Sequence, residues 1–131
     1  MSRYRILYVD DEPDMREIAL LSLGLDRSFE ARACASGAEA LTVLATWRPD
    51  LIMLDVVMPD MDGPQTLSRL RDEPSTRAIP VVFITARAHH DAADGFIRLG
   101  AAGIVPKPFN PMTLAKTVRQ YLPPAEPEPL A

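Results

Sequence analysis

The chain has 131 residues, 47% of them hydrophobic, enough for one buried core and too few for two. Its formal net charge of −4 excludes the basic surface that a phosphate-backbone binder needs, so no direct nucleic-acid contact is expected. The apolar run Ile6 to Val9 is too short for a signal-peptide core or a membrane span, and the lone Cys34 can form no internal disulfide. A cytoplasmic protein without membrane insertion is therefore expected.

Arg5 to Val9 reads as a first strand, stopped by the acidic turn Asp10-Asp11-Glu12-Pro13. From Pro13 to about Leu25 the apolar residues keep helical spacing. Phe29 to Ala33 alternates weakly, as a second strand would. Ser36-Gly-Ala-Glu39 has the pattern of a capping box and opens a helix to about Thr46, closed by Trp47-Arg48-Pro49. Leu51 to Leu54 is an apolar run without polar alternation, the pattern of a strand buried on both faces of a parallel sheet, and Asp55 stands at its exit. Met58-Pro59 delays the next helix. Asp62-Gly63-Pro64 then supplies an N-cap and an early-turn proline for a helix to Arg71, with Leu67 and Leu70 facing inward.

Ile79 to Ile84 is a second two-sided strand, ending at Thr85-Ala86. A weak helix over about Asp91 to Leu99 follows, loosened by Gly95. A short strand near Ile104 and Val105 leads into Pro106-Lys107-Pro108-Phe109. Asn110-Pro111 caps a last helix to about Leu122. Residues 123–131, with four prolines and two glutamates, are expected to form an extended tail outside a single domain over 1–122.

Five strands alternating with five helices predict an α/β fold with a doubly wound parallel sheet. Pro106 cannot donate a ladder hydrogen bond and belongs at a sheet edge or a strand end, so the last strand is expected at an edge. The flavodoxin-like order 2-1-3-4-5 satisfies this and brings the ends of strands one, three, four and five to one rim. That rim carries Asp10, Asp11, Asp55, Thr85 and Lys107. Clustered carboxylates repel one another unless a cation intervenes, and an all-oxygen donor set without His or Cys suits Mg2+. Magnesium, a hydroxyl and an ammonium beside a carboxylate make a site for receiving a phosphoryl group, with Asp55 as nucleophile. A nucleotide cradle would need glycines and backbone amides after the first strand, where three acids stand instead.

These residues, with the Asp-x-x-Met-Pro-x-Met-Asp-Gly run from Asp55 to Gly63 and Lys107-Pro108-Phe109, resemble the receiver domain of two-component response regulators over about residues 3–122. The resemblance implies that Asp55 is the phosphoacceptor and that Asp11, Asp55 and the carbonyl of Val57 ligate Mg2+, with Asp10 supporting the ion. Thr85 and Lys107 would bind the phosphoryl oxygens, and the Lys107–Pro108 bond would be cis. It further implies a histidine kinase or histidine phosphotransfer protein as donor, self-catalysed phosphorylation and dephosphorylation rather than conventional enzyme activity, and a downstream protein bound on the face of helix four, strand five and helix five.

One position departs from that family. The residue three before the lysine, usually Tyr or Phe, is Ile104, which has no ring to follow the threonine, so the readout is expected to use helix four instead. The same departure makes a phosphorylation-independent binding module the alternative function. His89-His90 is expected to be solvated, and Trp47 and Phe109 to be packing residues.

Overall fold

The computed structural model describes residues 3–86 and 95–122. The strands are β1 (Tyr4–Val9), β2 (Phe29–Cys34), β3 (Leu51–Asp55), β4 (Val81–Thr85) and β5 (Gly103–Pro106). They form one parallel sheet in the order β2-β1-β3-β4-β5. The helices are α1 (Pro13–Gly24), α2 (Gly37–Leu44), α3 (Gly63–Asp72), the helical residues 95–98 (α4), and α5 (Leu114–Arg119).

The unalternated runs behave as parallel central strands should: every residue of β3 and β4 is buried. Alternation instead sorts side chains between the two faces of the sheet. Leu7, Val9, Ile52, Leu54, Val81 and Phe83 face one side, covered by Leu67 and Leu70 of α3 and by Trp47. Ile6, Tyr8, Met53, Val82 and Ile84 face the other, covered by Ala19 and Leu23 of α1 and by Leu114 and Val118 of α5. Trp47 is thus a core residue, and Phe109 packs edge-on against Tyr8 with ring centroids 6.4 Å apart.

Pro106 lies on the edge strand, opposite Thr85, and the ladder resumes one residue later where Lys107 N donates to Thr85 O at 2.9 Å. Several boundaries differ from expectation. β4 begins at Val81 rather than Ile79, because Pro80 has no N–H to give. α2 stops at Leu44, short of Thr46. Ser36 Oγ caps it by accepting from Glu39 N at 3.1 Å, but the complete reciprocal box belongs to Asp62 and Gln65 at the start of α3.

Asn110 does cap a turn, its Oδ1 accepting from Met112 N at 2.9 Å, yet α5 itself starts only at Leu114 and ends at Arg119, before Leu122. The expected fourth helix is seen only over 95–98; its start, His89-His90 and the tail lie outside the described residues.

Asp26, just past α1, ties α1 to α5 through Arg119 Nη2 at 2.7 Å. Hydrogen bonds from Ser28, then from Arg119, hold its carboxyl at about 2 instead of 3.8. A folded-state value below the unfolded one means that ionised Asp26 stabilises the fold above the ordinary carboxylate range, and that the contribution fades as pH falls toward the folded value. Asp26→Asn should therefore destabilise the protein near neutrality, and the gap to the native chain should close between about pH 4 and pH 2. Denaturation midpoints across that range provide the check; a gap independent of pH would contradict it.

Candidate functional site

The carboxyl ends of β1, β3, β4 and β5 meet at one rim, and a cavity of 690 Å³ opens there, lined by Asp11, Asp55, Val57, Thr85, Phe96 and Lys107 among others. Asp10 lies beneath it with no exposed surface. Three donors converge on the Asp10 carboxylate: Tyr8 Oη at 2.8 Å, Glu12 N at 3.0 Å and Lys107 Nζ at 3.0 Å. Arg16 Nη1 donates to the Asp10 carbonyl at 2.9 Å, so the first turn of α1 clamps the loop that presents the acids.

Asp55, only 5% exposed, accepts from Lys107 Nζ at 3.2 Å. The same ammonium lies 3.5 Å from Glu12 Oε1. Asp10, Asp11 and Asp55 each offer a carboxylate oxygen, all within 4.8 Å of one another. Thr85 is buried at 6% exposure and lines the same cavity. Val57 stands 77% exposed at its mouth. The Lys107–Pro108 bond is cis, as the resemblance implied.

Burial shapes the electrostatics. Loss of solvent, then the charge of Asp10, pushes the Asp55 carboxyl up to about 6, while the ammonium of Lys107 opposes the rise. For Lys107 itself, burial pulls the value down, but hydrogen bonding and attraction to Asp10 and Asp55 outweigh it, and the group is held above its ordinary value. The Tyr8 hydroxyl is driven up by burial and by its hydrogen bond to Asp10, so it stays a proton donor to that carboxylate. Among the described residues one ammonium thus faces several carboxylates, and the surplus negative charge there, carried on oxygen, matches a hard divalent cation.

Two features hold Asp55 at the rim. Asp60 adopts a left-handed φ of 69°, a conformation that a short acidic side chain tolerates. Gly63 opens α3 directly beneath the strand exit: a Cβ there would lie 2.6 Å from Asp55 O and 2.9 Å from Val56 Cα. Both are backbone atoms and cannot step aside. Gly63→Ala should cost about 1–3 kcal/mol through this overlap, read as a lower urea midpoint; an unchanged midpoint would show that the loop yields freely.

All the residues expected at the site are brought to this rim. Three further residues join them. Glu12, in the sequence simply part of the acidic turn, meets Lys107 Nζ at 3.5 Å. Tyr8 lies two residues before Asp10, a spacing that on a strand puts both side chains on one face. Phe96, on α4, lines the cavity and left no comparable signal.

Residues 6–119 match the response regulator receiver domain family. The chain is 36% identical over 118 residues to the response regulator Rre1 of Synechocystis, covering 89% of this chain and 51% of that protein. It is 36% identical over 129 residues to the DNA-binding response regulator MtrA of Mycolicibacterium smegmatis, covering 97% and 54% respectively. The chain therefore spans about half the length of these relatives. Among solved structures it resembles the chemotaxis response regulator CheY4 of Vibrio cholerae with a TM-score of 0.84 and 31% identity, covering 92% of this chain and all of that one. With the sheet order, the rim of acids and the matched span in agreement, the chain belongs to the response regulator receiver domain family.

Proposed function

We propose that this receiver domain takes a phosphoryl group onto Asp55 from a histidine kinase or histidine phosphotransfer protein and thereby regulates a partner protein. The observation that carries the reading is the buried Asp55 carboxylate held 3.2 Å from the Lys107 ammonium at the floor of an open cavity. An Asp55 oxygen attacks phosphorus, the bond from phosphorus to the donor imidazole nitrogen breaks, and its electron pair stays on that nitrogen, which takes a proton. Catalysis here is positioning and charge stabilisation rather than covalent assistance.

Lys107 and the Thr85 hydroxyl would receive the transferred oxygens. Asp10, fixed by Tyr8 and Glu12, keeps Lys107 in place. The carboxylates of Asp11 and Asp55 and the carbonyl of Val57 would hold Mg2+, with Asp10 supporting through water; when bound, the ion supplies neutralisation of the phosphoryl charge. Regulation would pass to the face made by α4, β5 and α5, where Ile97 and Leu99 are exposed. Ile104, half-buried beside that face, offers no ring for such a relay.

Intact-mass measurement after incubation with acetyl phosphate tests the reading. One added phosphoryl group, dependent on Mg2+, is expected. An unmodified native chain would favour the alternative, a module that binds its partner without phosphorylation.

A further inference from the structure

The cavity is far larger than its proposed load. At 690 Å³, against about 30 Å³ for the liquid share of one water, it has room for a phosphoryl group and several solvent molecules. Its lining is divided: Asp11, Glu12, Asp55, Thr85 and Lys107 are polar, while Val56, Val57, Ala86 and Phe96 form an apolar side.

Among the described residues of that lining, Phe96 carries the one aromatic ring. It is half-buried and packs edge-on against Phe83, with centroids 4.9 Å apart and planes at 61°. Phe83 is fully buried and stands two residues before Thr85 on β4, so the two share a face of the sheet. The Phe96 backbone is anchored as well, its carbonyl accepting from Leu99 N and Ala101 N, each at 3.1 Å. A ring fixed at both its edge and its backbone is a wall rather than a passing contact.

We propose that Phe96 is a positioning residue that sets the lifetime of the phosphoryl group on Asp55 by closing the apolar side of the cavity to water. The inference rests on the reading of Asp55 as phosphoacceptor. In hydrolysis a water oxygen bonds to phosphorus, and the bond from phosphorus to the Asp55 oxygen breaks with its electron pair left on the carboxylate. The water proton passes to solvent, and inorganic phosphate is released. The ring offers that water no acceptor and fills space it would occupy; truncation opens the space and raises water occupancy beside the acyl phosphate.

The test loads the full chain, Phe96→Ala, Phe96→Val and Phe96→Leu with acetyl phosphate and Mg2+, removes the donor, and follows the phosphorylated mass with time. Phe96→Ala should lose the group roughly threefold to tenfold faster than the native chain, a barrier change of about 0.7–1.4 kcal/mol. Phe96→Leu, apolar and nearly as large, should stay within about twofold of native. Phe96→Val should fall between them, and keeps the test open if the alanine variant does not fold. Thermal midpoints are recorded in parallel: lower midpoints with decay rates at or below native would overturn the inference, since a merely structural ring moves stability alone. Failure of the native chain to take up the group would overturn the Asp55 reading itself, a separate outcome.

Discussion

Replacing Asp55 with asparagine is expected to abolish phosphoryl uptake and, in magnesium-free buffer at pH 7, to stabilise the fold. Two causes act together. The amide is no nucleophile, so the acyl phosphate cannot form. The carboxylate it replaces is ionised in a place that resists ionisation, since burial and Asp10 raise its value from 3.8 to about 6. An acid whose folded value lies above its unfolded one costs stability once pH exceeds the folded value, and costs nothing below the unfolded value. The difference corresponds to at most about 3 kcal/mol, and Lys107 loses one of its partners, so a net gain of about 1–3 kcal/mol is expected near neutrality. It should vanish as pH falls from about 6 to about 4. Urea denaturation of both proteins at several pH values provides the check. Equal stability at pH 7 would mean that Lys107 already compensates Asp55 fully.

Lys107→Met should act in the opposite sense. The thioether keeps the apolar stem and removes the ammonium that lies 3.0 Å from Asp10 and 3.2 Å from Asp55. Without it the opposing influence on Asp55 is lost, and burial and repulsion push the carboxyl further up. In the absence of a cation more of it is then protonated at pH 7. Stability should drop by about 1–3 kcal/mol, the cost of leaving buried polar groups without a partner. Transfer from a small phosphodonor should slow by roughly 10²–10³-fold, the usual penalty for removing one donor to the developing charge. Single-turnover rates with and without Mg2+ separate the two contributions. A rate within a few-fold of native would mean that Lys107 holds the acids apart without touching the transferred group.

Much of this was legible in the amino-acid order because it is written in local chemistry. Runs such as Leu51 to Leu54 lack polar alternation, and only a strand covered on both faces tolerates that. Pro106 pointed to an edge position for the last strand, and the flavodoxin-like order that agrees with it makes the ends of strands one, three, four and five neighbours. From there the convergence of Asp10, Asp55, Thr85 and Lys107 follows from topology, and the side chains do meet.

What stayed hidden depends on registers and helix placements that no short window encodes. Tyr8 looked like one more apolar strand residue until its hydroxyl met Asp10. Phe96 reaches the cavity only because α4 packs its ring on Phe83. The proline after Asn110 suggested a helix start, but the chain spends 111–113 in a turn before α5 begins. At Ser36 and Asp62 the cap was readable in each case, whereas the reciprocal bond depended on whether a glutamate or a glutamine side chain turned back.

The measurement that bears most directly on the account is the position of the acyl phosphate. Borohydride reduces an aspartyl phosphate to homoserine, so after exposure to acetyl phosphate and reduction, peptide mass mapping finds the modified residue. Conversion at Asp55 alone, dependent on Mg2+ and absent from Asp55→Asn, is the predicted result. Conversion at Asp10, Asp11 or any other carboxylate, or none in the native chain, would contradict it.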